Sequence, residues 1–384
     1  MIFLLLFHLI LIFIGGYFLS PEFTVYPYLT SHGFIPYINL IDQHLPIIFF
    51  GPFSLPLWLV ANRTILLGLF ITLLLATDTF FYLAIRQTRQ PLFFTFTFII
   101  FSWFFGGNFF WLSTFITFFL SLFLFLKIYS PKSIQFILGF LIGLIFLIKP
   151  TLLPGLSLLL FYSNLTNPFI LTGFLSPIVV TLLYLIKLDA LDSFYNLIFT
   201  FNTKYYIPLA HQLPNQRQLL LVLLAFIIPL YFLIQKNKKS LLISLLFLTL
   251  IYPRFEYLHL GPFVLLLTYF VANLKLNPIQ ISILTLVTAL FFSFSLIKLK
   301  NYRYGDFYFN EEIVQANKNV KNLPGQNLLI LGGSELIYPL SGKTPPEIYI
   351  PPLPWYFAVS EYQNQFLSSL AKTKTPILYY PSAS

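Results

Sequence analysis

The chain begins IFLLLFHLILIFIGGYFL over Ile2–Leu19 and continues SPEFTVYPYLTSHGFIPYINLIDQHLPIIFFGPFSLPLWL over Ser20–Leu59. The contrast between these two halves decides the fold. The first half is continuously apolar and close to the length that crosses a bilayer. The second is too broken by Pro and Gly to be a spanning helix, and it holds Glu22, His32, Asp42 and His44. In a sequence made mostly of Phe, Leu and Ile, four ionisable side chains in one loop call for a role. The expectation is that this loop forms half of an active site at a membrane surface.

The rest of the chain repeats the first half. Its 384 residues are 58% hydrophobic and 9% charged, with mean hydropathy +0.83. A chain this apolar cannot cover itself with polar surface and must dissolve in lipid. Apolar runs near spanning length alternate with short polar breaks, the pattern of a polytopic α-helical membrane protein. About eleven runs qualify as transmembrane helices, at roughly 2–19, 64–85, 91–105, 109–126, 133–148, 151–162, 168–186, 218–234, 240–252, 257–273 and 280–297. The absence of cysteine excludes disulfides and thiolate metal sites. The net charge of +10 does not call for nucleic acid. The basic residues sit mostly in short inter-helix loops and in the tail, where lipid headgroups and topology account for them.

The first run has no basic n-region and no small-x-small cleavage pattern, so a retained first helix is expected. With the N-terminus cytoplasmic, the internal loops carry Arg86, Arg89, Lys127, Lys132, Lys236, Lys238, Lys239 and Lys275 and no acid. The density of basic residues there follows the positive-inside rule, while Lys298, Lys300 and Arg303 after the last run go against it. The external face then receives Glu22, Asp42, His44, Lys149, Lys204, His211, Arg254, Glu256 and His259, while every internal loop is short and simply basic. A multi-pass protein of the plasma (inner) membrane with one chemically furnished external face is the expected arrangement. Residues 1–297 form its transmembrane domain, with external loops at 20–63 and 187–217. Residues 298–384 are polar enough for a small external α/β domain, with helices at Glu311–Asn322 and Phe357–Leu370, strands at Asn327–Leu331 and Pro376–Tyr380, and a turn at Gly332-Gly333-Ser334.

Each candidate has a bland alternative. Glu22 beside Pro21 is either a solvated loop acid or a general base, and Asp42 among apolar neighbours is a carboxylate whose pKa burial would raise toward a useful range. Lys149 before Pro150 either snorkels or presents a fixed cation to a lipid-linked phosphate. In Tyr252-Pro-Arg-Phe-Glu-Tyr-Leu-His259, Arg254 and Glu256 form either a surface ion pair of little worth or an anion clamp with His259 beside it. Lys204 and Tyr205 lie in a connection long enough to be a binding loop and suit phosphate and sugar. Asp78, the one acid within a run, is assigned to structure, through pairing with a neighbouring helix or contact from Arg86. No metal-ligand spacing appears.

An N-terminal helix, an external loop with an acid, and then Gly33-Phe-Ile-Pro-Tyr-x-x-x-Ile-Asp-x-His-x-Pro46 resemble the GT-C superfamily of membrane glycosyltransferases. The likeness is to its family-39 branch of protein O-mannosyltransferases, lipid A aminoarabinose transferases and lipopolysaccharide galacturonosyltransferases. Echoes recur at Lys149-Pro150 and Arg254–His259. The usual Asp-Glu pair is here Pro21-Glu22, and the second external loop, Gly106-Gly107-Asn108, has no acid. The resemblance implies a GT-C-like fold and inverting transfer of a sugar from a polyprenyl-phosphate-linked donor to a lipid, glycan or protein acceptor. Glu22 or Asp42 would be the base. His44, Lys149, Lys204, Tyr205, Arg254, Glu256 and His259 would bind the donor's phosphate and sugar. No cofactor is called for, although a divalent metal is compatible with the resemblance. The alternatives are a lipid or polysaccharide transporter, which would place ionisable groups near the midplane, and a non-enzymatic protein that binds a partner.

Overall fold

The computed structural model describes residues 1–44, 47–129, 132–162, 167–301, 309, 311–331, 334–351, 353–372 and 375–379; Pro46 and the Gly332-Gly333 turn lie outside them. The chain is predominantly helical. Among the described residues four helices are long and apolar enough to cross a membrane: Arg63–Ile85, Pro168–Lys187, Gln216–Lys236 and Pro278–Leu299. Six shorter apolar helices of 10–17 residues accompany them. Helix occupies each apolar run. The run at 151–162, however, becomes a single turn of 3-10 helix followed by Leu153–Tyr162, ten residues long. That helix rises about 15 Å, half the thickness of the hydrocarbon layer.

The chain divides into two compact units, residues 1–18, 68–178 and 212–305 in the first and residues 19–67, 179–211 and 306–384 in the second. The first unit is a helical bundle filled with phenylalanine. Phe101 and Phe105 pack on Phe226 and Phe291, and Phe226 packs on Phe263, with centroids 5.0–5.9 Å apart. Its helices start where local chemistry allows. Asn215 and Gln218 form a reciprocal capping box at Gln216–Lys236, and Asn237 caps Lys238–Leu246 through Ser240. Helices Lys132–Ile148 and Pro168–Lys187 approach backbone to backbone. A Cβ at Gly139 would collide with the Ile170 carbonyl, one at Gly143 with the Phe174 carbonyl, and one at Gly173 with the Phe136 carbonyl. Small residues of this kind let helices in lipid gain dispersion contact that larger side chains would prevent.

The second unit joins three separated stretches. Pro21 starts a helix over Glu22–Ser31. The Thr24 hydroxyl of that helix donates to the Val60 carbonyl at 2.8 Å. Residues 35–40 make a turn in which Tyr37 takes φ 67°. This left-handed geometry costs a non-glycine residue of order 1–3 kcal/mol. It is held by the Tyr37 N–H donating to the Leu40 carbonyl at 2.8 Å and the Tyr37 hydroxyl donating to the His44 carbonyl at 2.8 Å. The connection after Lys187, expected to lack structure of its own, is helical from Leu191 to Ala210, with an 11-residue π-helix at Asn196–Tyr206. Its buried Leu197, Ile198 and Phe201 supply the apolar face that makes it an element rather than an unstructured loop.

In the tail, helices stand at Glu311–Lys321 and Ser360–Lys372, and strands Leu329–Leu331 and Ile377–Tyr379 pair in parallel, Leu329 opposite Ile377. Glu311 and Glu312 in the first turn and Lys318 and Lys321 in the last complement the helix dipole. The tail is tied to the opening loop by backbone. The Ile41 N–H donates to the Tyr349 carbonyl at 2.9 Å, and the Tyr349 N–H donates to the Asn39 carbonyl at 2.8 Å.

Gly173→Leu is expected to destabilise the first unit by at least ~1–3 kcal/mol, the cost of overpacking against a fixed backbone. Gly68→Ala, where a Cβ meets nothing within 4 Å, should leave the melting temperature in detergent unchanged or slightly raised. Equal melting temperatures for Gly173→Leu and the wild type would refute the close crossing.

Candidate functional site

In the second unit the opening loop contributes two carboxylates and the tail a third. Asp42 is 2% exposed. The Tyr26 hydroxyl donates to its Oδ2 at 2.5 Å, and the His44 backbone N–H and Nδ1 each lie 2.6 Å from its Oδ1. The Asp42 carboxylate is thereby saturated and orients the His44 ring. Glu22 is half-buried at the first position of its helix, and its Oε2 accepts from the Ser20 hydroxyl. Burial pushes the Glu22 carboxyl above its ordinary value, the Ser20 bond opposes this, and the His44 and Asp42 charges act in opposite senses.

Glu335 is the member that sequence reasoning missed. It occupies the turn before the short helix Ile337–Ser341. Burial first, and the neighbouring Glu22 charge second, push its carboxyl up to about 8, and the Tyr349 hydroxyl beside it partly offsets this. Two buried carboxyls, Glu22 and Glu335, each raised above the ordinary value and each disfavouring the other's charge, meet a condition for acid–base work. Nothing in the local sequence Ser334-Glu-Leu-Ile marks this residue. Its value comes from the pairing of Tyr349 with residues 39–41.

The π-helix reaches the same place. Asn202 Nδ2 donates to the Gln43 carbonyl at 3.4 Å, and the Gln43 N–H donates to the Tyr356 hydroxyl at 3.0 Å. Phe201 stacks on Tyr356 with centroids 5.1 Å apart and planes 12° from parallel. Gln43 Oε1 and Asn202 Oδ1 are buried without a hydrogen-bond partner. Lys204 is exposed, with its Nζ 5.2 Å from the Tyr205 ring centroid. The structure therefore gathers Glu22, Asp42 and His44 with Glu335 in this unit, and places Lys204 and Tyr205 on the element that carries Asn202.

The first unit gathers the remaining candidates. Arg254 Nε lies 2.9 Å from Glu256 Oε1, and His259 Nε2 lies 3.6 Å from Glu256 Oε2. Burial lowers the pKa of the Lys149 ammonium, and the Glu256 charge partly offsets the loss. The turn is fixed by backbone, with the Gln212 N–H donating to the Pro253 carbonyl at 3.1 Å and the Phe255 N–H donating to the Gln212 carbonyl at 2.9 Å. Glu256 is thus the carboxylate that Lys149, Arg254 and His259 share. Arg254 is 43% and Glu256 33% exposed, so their pair adds little stability, and a ligand anion can exchange for the carboxylate.

Asp78 takes a helix partner, as expected of it. That partner is His8, with Nδ1 2.6 Å from Asp78 Oδ2. Among the described residues no three His, Asp or Glu side chains converge as a metal-ligand set. Compared with family models, curated proteins and solved structures, the chain matches none.

Because the unfolded chain releases the Glu335 proton near the ordinary value of 4.5 and the folded one near 8, folding holds a proton that the unfolded state lacks in that window. Stability is then full below pH ~4.5 and falls as pH rises toward 8, by at most about 1.4 kcal/mol per unit. Glu22 adds a slope of the same sign. Glu335→Gln is expected to flatten the decline and to melt above the wild type at pH 8. Parallel wild-type and variant profiles would contradict the burial of this carboxyl.

Proposed function

We propose that the protein is a membrane glycosyltransferase that moves a sugar from a polyprenyl-phosphate donor to a lipid, glycan or protein acceptor with inversion. The observation that carries this is the group Glu22, Asp42, His44 and Glu335, which supplies a base whose pKa burial raises and a second raised carboxyl beside it. Glu22 takes the role of base. It has one accepted side-chain bond and an elevated pKa, whereas Asp42 spends both oxygens on Tyr26 and His44 and acts by orienting them.

In the reaction the base withdraws the proton of the acceptor hydroxyl as its oxygen attacks the anomeric carbon. The bond from that carbon to the phosphate oxygen breaks, and the lipid phosphate leaves with the electron pair. The transition state has oxocarbenium character, as in glycoside hydrolysis. Lys204, in the same unit as Glu22, is assigned to the charge that grows on the leaving phosphate. Gln43 Oε1 and Asn202 Oδ1, buried acceptors without donors, suit the hydroxyl groups of a sugar, and Tyr205 and Lys204 lie on the same element as Asn202.

The proposal includes the finer membrane arrangement: about eleven spans, the N-terminus cytoplasmic, and the opening loop and C-terminal α/β region external to the plasma membrane. Since the chain has no cysteine, single-cysteine labelling tests this directly. Ser31→Cys should react with a membrane-impermeant maleimide on intact cells, and Lys238→Cys only after permeabilisation. The reverse pattern overturns the orientation.

Turnover of polyprenyl-phosphate sugars in proteoliposomes tests the chemistry. Glu22→Gln is expected to lower kcat by about 10²–10⁴-fold, the usual worth of a general base. Lys204→Ala should chiefly raise KM for the donor. Retention of full turnover by both Glu22→Gln and Asp42→Asn would sink the mechanism.

A further inference from the structure

The first unit contains a buried charge that sugar transfer does not use. His8, on the helix Ile2–Gly15, and Asp78, on the helix Arg63–Ile85, are 2% and 1% exposed. Their Nδ1···Oδ2 contact satisfies one atom of each. Asp78 Oδ1 and His8 Nε2 are both buried and have no hydrogen-bond partner. An unpaired carboxylate oxygen in an apolar bundle is costly, and retaining one calls for a ligand.

Both side chains line a small cavity with room for about one water-sized occupant. The other polar residues that line it are Thr77, Ser102, Ser113, Thr114 and Thr117. Three of these hydroxyls have already given their protons to backbone: Thr77 to the Leu73 carbonyl at 2.7 Å, Thr114 to that of Phe109 at 2.9 Å, and Thr117 to that of Ser113 at 2.7 Å. What they present inward is lone pairs. In the tautomer in which His8 Nδ1 donates to Asp78, Nε2 is a further acceptor. No lysine or arginine lines the cavity. An enclosure walled mainly by acceptors around one carboxylate repels anions and attracts a positive charge.

We propose that this cavity is a binding site for a single small monovalent cation, of the size and hardness of sodium, held by Asp78 Oδ1 and the threonine hydroxyls. The ligands decide the class. Carboxylate and hydroxyl oxygens suit a hard ion. One carboxylate balances one unit of charge, whereas divalent sites of hard ions gather more oxygen ligands, several of them charged. The bound ion would tie the first helix to the Arg63–Ile85 helix through a charge that otherwise has half its valence unmet. None of these groups has a role in sugar transfer, so the two proposals stand or fall separately.

The test is thermal unfolding of the full-length protein in detergent, in sodium, potassium or choline chloride at equal ionic strength. Sodium is expected to raise the melting temperature saturably by about 2–4 °C over choline, with potassium less effective, and Asp78→Asn should abolish the difference. Thr117→Val should shift the sodium midpoint to higher concentration, and it carries the test if Asp78→Asn does not fold. Identical melting in sodium and choline, the result for a cavity that holds only water, would overturn the proposal. So would a sodium response that survives Asp78→Asn, or a midpoint unmoved in Thr117→Val.

Discussion

Two backbone hydrogen bonds, from Ile41 to Tyr349 and from Tyr349 to Asn39, attach the tail to the opening loop, and the chemistry of the second unit depends on them. They are short-range and directional, and they seat Tyr349 beside Tyr26, with ring centroids 5.9 Å apart. The consequence is electrostatic. A carboxyl from the tail is brought under the influence of the Glu22 charge, in surroundings that solvate charge poorly, and the proton affinity of both is raised. Without the attachment Glu335 would be an ordinary acid on a polar tail.

The first unit solves a related problem by other means. Its helices are held by aromatic packing and by glycines that admit a neighbouring backbone, neither of which needs polar groups. Polar side chains survive in it where they satisfy one another. Glu256 serves Lys149, Arg254 and His259 at a break between helices, and Asp78 and His8 serve each other inside the bundle. In the second case the satisfaction is half complete, which distinguishes a pair that merely pins two helices from one that receives a ligand.

Several features were legible in the residues alone. The helix positions follow from runs of Phe, Leu and Ile, and the tail's helix and strands from a change to amphipathic and short apolar patterns. The Arg254–His259 turn stood out because its charges interrupt a long apolar stretch. The segment after Lys187 was misjudged because its polar residues conceal the apolar positions Leu197, Ile198 and Phe201 that a helical winding brings to one face. Asp42 and His44 were legible as a pair two residues apart, but their roles were not, since the Tyr26 bond that saturates Asp42 comes from another element.

The sequence by itself determined that the chain carries helices apolar enough to enter a membrane, which runs are helical, and which stretch between the first two helices carries ionisable groups. These are properties of composition and local periodicity, and a window of some twenty residues contains them. Only the tertiary structure decided that Glu335 joins Glu22 and Asp42, that His8 is the partner of Asp78, and that Gln43 meets Tyr356 across 313 positions of chain. Such partners are chosen by packing and by the need to satisfy buried polar groups, and neither leaves a trace in the spacing of residues along the chain. The loop Ser20–Leu59 announced that charge was needed at that place, and the fold supplied the group that makes the charge unequal.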